Sequence, residues 1–258
     1  MHMFIDTHAH TYHQQFAEDI DDIVQRAKEA KVNKVLLPNI DSDSIDSLLE
    51  LCDKYKDHFY PMVGLHPCNV KENYKEELSR LEPYLQDERL VAIGETGTDL
   101  YWDKTFIDQQ QHSLEIQISW AKEYSLPIVL HSRDSIDMSI DIIRKHQDGS
   151  LRGVFHCYGG TVEQSKEIID LGFMMSIGGT VTFKNNQALR EVLQFVSIEH
   201  IMLETDAPYL APHPNRGRRN ESSYIPLIVE KLTEVYNCSA QQIAEITRLN
   251  AEQLFSLK

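Results

Sequence analysis

The segment Asp6-Thr7-His8-Ala9-His10 carries three side chains that bind divalent cations, two of them imidazoles spaced two apart. It closes a short apolar run, Met3-Phe4-Ile5, that reads as a first β-strand. Side chains alternate across a strand, so His8 and His10 share one side, and Asp6 shares it with them. Two imidazoles on a rigid strand end begin a metal site but do not complete one. A lone His-x-His triplet also arises in hydrogen-bonded structural positions. Further ligands must therefore come from distant segments, and the fold must bring them together.

The elements that could do so are regular. Strand candidates are Met3–Thr7, Lys34–Pro38, Tyr60–Gly64, Leu90–Gly94, Ile128–His131, Gly153–His156, Met174–Ile177 and Ile201–Glu204. Amphipathic, charged stretches lie between them: Asp19–Ala30, Ser42–Tyr55, Lys75–Leu85, Phe106–Tyr124, Ser135–Lys145, Val162–Leu171 and Asn186–Val196. Tyr224–Tyr236 and Ala240–Phe255 follow the last strand. Eight strand–helix units of roughly 32 residues predict an α/β protein with a (β/α)8 TIM barrel, here as one domain over residues 1–258. A doubly wound open sheet is the competitor. It usually has fewer strands and a glycine-rich turn after the first, where this chain has His-Ala-His.

A barrel places functional residues at the C-terminal ends of its strands. Those ends hold His8 and His10; Gly64-Leu65-His66-Pro67; Gly94-Glu95-Thr96-Gly97-Thr98-Asp99; His131-Ser132-Arg133-Asp134; His156-Cys157-Tyr158-Gly159-Gly160; and Glu204-Thr205-Asp206-Ala207-Pro208. His8, His10, Glu95, His131, His156 and Asp206 form a set large enough for two cations with positions left for water. Each has a plainer reading. A strand-end histidine can simply be hydrogen bonded, Glu95 can cap a helix or pair with an arginine, and Asp206 can cap a turn at Ala207-Pro208. Their joint occurrence on one rim is the argument.

Composition narrows the class. The chain has 258 residues, 41% hydrophobic, and a formal net charge of −15 from 25 Lys and Arg against 40 Asp and Glu. That balance excludes a broad phosphate-binding face, but not phosphoester chemistry in which bound cations supply the charge. No stretch approaches the roughly 18 apolar residues of a membrane span, and no signal-peptide pattern opens the chain. Four scattered cysteines, Cys52, Cys68, Cys157 and Cys238, read as reduced thiols of a cytoplasmic protein.

The strand-end motifs together resemble the TatD family of metal-dependent deoxyribonucleases, within the amidohydrolase-like barrels. The likeness spans the chain, including Pro212-His213-Pro214-Asn215-Arg216-Gly217-Arg218-Arg219-Asn220-Glu221 and the closing Thr247-Arg248-Leu249-Asn250-Ala251. The chain departs from it at Thr98, where an apolar residue is usual, and at Gly159, often a serine. The resemblance implies two divalent cations, with Zn, Mn, Mg, Ni and Fe all compatible. His8, His10 and Asp206 would hold the first, His131 and His156 the second, and Glu95 would reach both. Asp206 is the expected catalytic group, orienting water and taking its proton. Asp6 and Asp99 are expected to hold ligand imidazoles in one tautomer.

Candidate substrate contacts are His66, Arg133, Arg219, Tyr101 and Trp102. Arg133 and the Arg216/Arg218/Arg219 island could meet phosphate, or sit in a rim ion pair and a solvated loop. Tyr101 and Trp102 could stack a single-stranded base, or pack their own loop. The expected function is a deoxyribonuclease acting 3'-5' on single-stranded or frayed DNA as a transient substrate, with no membrane and no obligate protein partner. The alternatives are an acyl-ester or amide hydrolase, such as a deacylase of aminoacyl-tRNA, and a non-catalytic metal- or nucleic-acid-binding protein.

Overall fold

The computed structural model describes residues 3–257. Eight strands run in chain order and each pairs in parallel with the next. They are β1 (Phe4–Asp6), β2 (Val32–Leu37), β3 (Phe59–Val63), β4 (Ala92–Asp99), β5 (Ile128–Arg133), β6 (Gly153–Phe155), β7 (Phe173–Ile177) and β8 (Ile201–Leu203). The helices are α1 (Ile20–Glu29), α2 (Ile45–Lys54), α3 (Tyr74–Leu81), α4 (Ile107–Glu123), α5 (Ile136–His146), α6 (Val162–Asp170), α7 (Gln187–Leu193), α8 (Ile225–Tyr236) and α9 (Ala240–Phe255). This is the (β/α)8 barrel.

The strands bury both faces, as parallel strands covered by helices must. Leu36 faces inward with Ile5, Met62, Ala92, Val129, Val154 and Met202, and Ala251, Leu254 and Phe255 of α9 pack against that inner cluster. Its chain neighbours Val35 and Leu37 face the helices, in the cluster that also holds Leu48, Leu114, Ile118 and Ile143. Period-2 strands of this kind present an apolar residue to each layer at every step. No described helix is long and apolar enough to cross a membrane.

Two elements differ from the sequence expectation. The fourth strand does not stop at Gly94 but runs on to Asp99, with an irregularity between Ile93 and Thr96. Gly97 permits the extension. At φ +132° it lies so close to β5 that a Cβ would sit 2.0 Å from the His131 carbonyl oxygen. The expected helix Lys75–Leu85 ends at Leu81 and tightens into a 3-10 turn over Glu82–Gln86, because Pro83 cannot continue an α-helix.

His58, just ahead of β3, is buried and donates Nδ1–H to the Asn33 carbonyl oxygen at 2.9 Å. Burial pushes its pKa down to about 4, against about 6.5 in an unfolded chain. The neutral ring is favoured by the fold, so this contribution is intact above pH 6.5 and is lost as pH falls toward 4. His58→Asn keeps a donor for Asn33 and removes the titration. Between pH 7 and pH 5 the variant should lose about 2 kcal/mol less stability than the parent chain in denaturant titrations. Equal losses would contradict this role.

Candidate active site

The site forms where the barrel closes. β1 and β8 are joined just beyond their ends by Thr7 N–H to Leu203 O (2.9 Å), Asp206 N–H to His8 O (2.8 Å) and His10 N–H to Ala207 O (2.7 Å). This seam sets the His8 and His10 backbone directly against Asp206. Asp6 reinforces it. Its Oδ1 accepts from the backbone N–H of Thr205 (2.9 Å) and of His8 (3.3 Å), and its Oδ2 from the Thr205 hydroxyl (2.6 Å). The expectation that Asp6 orients a ligand imidazole is therefore corrected. Its carboxyl is spent on the β1–β8 seam, and complete burial pushes its pKa up to about 7.

Glu95 is the centre of the site. Its Oε2 lies 3.1 Å from His8 Nε2 and 3.5 Å from His10 Nε2. Its Oε1 lies 3.0 Å from His131 Nδ1, 3.0 Å from His156 Nε2 and 3.3 Å from His66 Nε2. Asp206 Oδ1 stands 3.6 Å from His10 Nε2 and 3.9 Å from His8 Nε2. The six residues predicted as ligands thus meet, and His66, expected as a substrate contact, joins the same ring. Burial alone would raise the Glu95 carboxyl, but His156, His66 and His8 outweigh it and hold it well below the usual range. Burial likewise opposes ionisation of Asp206, and the hydrogen bond and charges of the facing imidazoles reverse the shift.

Four of the five imidazoles face a group on the side away from Glu95, whereas the buried His8 Nδ1 has no hydrogen-bond partner among the described residues. The Tyr12 hydroxyl donates to the Pro38 carbonyl oxygen at 2.8 Å, so its oxygen accepts from His10 Nδ1 at 3.1 Å and leaves Nε2 facing the centre. His131 Nε2 meets Asp99 Oδ2 at 2.8 Å, which leaves Nδ1 facing Glu95; Asp99 thus lies beside a candidate ligand imidazole. His66 Nδ1 accepts from the Cys68 N–H at 3.0 Å. His156 Nδ1 faces Glu204 Oε1 at 3.5 Å. Tyr12 and Glu204 were missed as site residues. The only sequence signal is their spacing, each two residues from a candidate ligand, and that pattern is common on strands.

Ligand atoms within 4.8 Å of one another occur as His8/His10/Glu95, His66/Glu95/His131 and His8/His156/Glu204. A buried carboxylate ringed by imidazole nitrogens fits divalent cations, because mixed nitrogen and oxygen donors satisfy them and the cation balances the carboxylate charge.

Comparisons with known proteins agree with this geometry. The family model described as TatD related DNase matches residues 5–256. The chain belongs to the TatD family of metal-dependent hydrolases. It is 36% identical over 255 residues to the uncharacterized metal-dependent hydrolase YabD of Bacillus subtilis, covering 99% of this chain and 100% of that protein. It is 31% identical over 248 residues to the 3'-5' ssDNA/RNA exonuclease TatD of Erwinia tasmaniensis, covering 94% and 96%. The crystal structure of YjjV, a TatD homologue from Escherichia coli, superposes with a TM-score of 0.93 at 30% identity, covering 99% and 98%.

Around the ring of this TatD-family chain, the outer residues divide. The Arg133 guanidinium lies 3.8 Å from the Tyr101 ring centroid and 5.3 Å from that of Trp102, and forms no ion pair among the described residues. Tyr101 and Trp102 are 52% and 69% exposed, with one face of Tyr101 covered by Arg133. The Asp99 Oδ1 atom accepts both of their backbone N–H groups and links this loop to His131. Arg219 does not behave as a free phosphate ligand. Its guanidinium binds Asp19 at 2.5 and 2.8 Å and the Gln15 carbonyl oxygen at 2.5 Å, locking the late loop to the start of α1. The departures are benign: Thr98 pairs with the Ser139 hydroxyl at 3.0 Å, and Gly159 has open space where a Cβ would stand.

Removing the Asp6 carboxyl would leave two buried N–H groups and a buried hydroxyl without their acceptor. Asp6→Ala should cost about 2–4 kcal/mol of unfolding free energy, and Asp6→Asn less than half of that because it keeps an acceptor oxygen. Denaturant midpoints measure both, and equal costs would show that the seam does not depend on this acceptor.

Proposed function

We propose that the chain is a deoxyribonuclease requiring two divalent cations, releasing nucleotides in the 3'-5' direction from single-stranded or frayed DNA. The observation that carries this reading is the division of Glu95, whose two carboxylate oxygens face two different sets of imidazoles. His8, His10 and Asp206 would hold a cation on the Oε2 side, and His131 and His156 one on the Oε1 side, with His66 beside them. When bound, the cations polarise the phosphoryl group and make water a competent nucleophile near neutral pH.

The chain's own groups do the rest. Asp206 is the carboxylate at the open edge of the ring, with 15% of its side chain exposed where Glu95 has 2%. It is ionised and within reach of incoming water, so it orients that water and takes its proton. Arg133, held over the Tyr101 ring, presents its guanidinium to a phosphate. The exposed Trp102 face stacks a base without reading its identity. Beside it, a cavity of about 220 Å³ lined by Trp102, Phe106, Val70 and Lys71 reaches Asp99. The Erwinia relative named as an exonuclease supports the nucleic-acid substrate. All four cysteines are unpaired, which fits a cytoplasmic setting.

The test assays metal-loaded protein on end-labelled single-stranded and duplex DNA beside an aminoacyl ester. Mononucleotides should appear only from DNA, and EDTA should stop their release. Asp206→Asn should lower kcat by 10²–10⁴-fold. Ester cleavage with intact DNA would replace the nuclease reading, and near-normal turnover in Asp206→Asn would remove this group as the proton acceptor.

A further inference from the structure

Glu204 is fully buried immediately after β8 and has no part in the chemistry above. Both of its oxygens are anchored. Oε1 accepts from the Cys157 backbone N–H at 2.7 Å, and Oε2 accepts from the Ser176 hydroxyl on β7. A buried carboxylate fixed in this way is costly unless something else uses its charge.

That charge faces His156. Glu204 Oε1 is 3.5 Å from His156 Nδ1, while His156 Nε2 is 3.0 Å from Glu95 Oε1. The ring lies between two carboxylates, one at each nitrogen. It is also stacked on His8, with centroids 3.8 Å apart and planes 9° from parallel. A half-turn of the ring would preserve that stack but put carbon against both carboxylates. His156 Nδ1 is buried and makes no hydrogen bond among the described residues. Closing the gap to Glu204 by about 0.5 Å gives an ordinary one.

We propose that Glu204 is a positioning residue that accepts the Nδ1 proton of His156 and so directs its Nε2 to the cation on the Oε1 side of Glu95. The role rests on the two-cation reading of the site. A carboxylate behind a ligand imidazole fixes the tautomer and raises the basicity of the ligating nitrogen. The His8/His156/Glu204 group could instead be read as a third cation site. The stacked rings argue against it, since in-plane lone pairs of two nearly parallel rings lie in separate planes and do not converge on one point.

The test uses the whole chain loaded with Zn²⁺, comparing the parent with Glu204→Gln, which keeps the shape and removes the charge, and with Ser176→Ala. Zinc titration calorimetry should show affinity for the second equivalent falling 10–100-fold in Glu204→Gln and less in Ser176→Ala. The melting temperature of metal-free protein should be nearly unchanged. In the zinc-loaded parent, ¹H–¹⁵N spectra should show a hydrogen-bonded His156 Nδ1–H, identified by its loss in His156→Gln. This readout decides the matter even where Glu204→Gln fails to fold. Unchanged zinc affinity in Glu204→Gln, a proton on Nε2, or a third equivalent lost in that variant would each overturn the role. A parent chain that takes up no zinc would instead overturn the two-cation reading, and this role with it.

Discussion

A single buried carboxylate, Glu95, surrounded by five imidazoles is the constraint around which the barrel mouth is arranged. Taking one ionised carboxylate out of water costs several kcal/mol unless opposite charge and hydrogen bonds offset the loss. The imidazoles come from the segments after β1 and β3, from β5 and from the residue after β6, so compensation requires the closed barrel. Fold and site are therefore coupled. The strands bring the charges together, and the charges are tolerated because the strands are closed.

The weakest part of that arrangement is the join between the first and last strands. β1 and β8 are only three residues each, and their pairing lies just past their ends. Asp6, with Thr205, carries hydrogen bonds there that a longer strand pair would have supplied through its backbone. Placing His8, His10 and Asp206 on the seam makes their relative position depend directly on barrel closure. The same logic extends outward through Asp99, which binds His131 with one oxygen and the Tyr101–Trp102 loop with the other. Substrate-facing aromatics and a candidate ligand are thereby held by one side chain.

Much of this was legible in the sequence because a barrel collects its chemistry at strand ends, and ends are marked by abrupt changes from apolar to polar residues. His8, His10, His131, His156 and Asp206 were readable on that basis. Glu95 was too, although it lies inside β4, because Gly97 lets the strand continue where glycines ordinarily announce a turn. What was not legible depends on pairings that spacing cannot encode. Glu204 matters through Ser176 and His156, 28 and 48 residues away. Arg219 reads as a free cation until Asp19, 200 residues earlier, takes its charge. Asp6 shares the parity of His8 and His10, but the Thr205 backbone captures its carboxyl first.

The central claim is that Glu95 divides the site between two cations. Crystals grown with Mn²⁺ or Zn²⁺ and measured at the absorption edge of that metal test it most directly. Two anomalous peaks are expected, one against Oε2 with His8, His10 and Asp206, and one against Oε1 with His131 and His156. One peak alone, or peaks that do not touch Glu95, would contradict it.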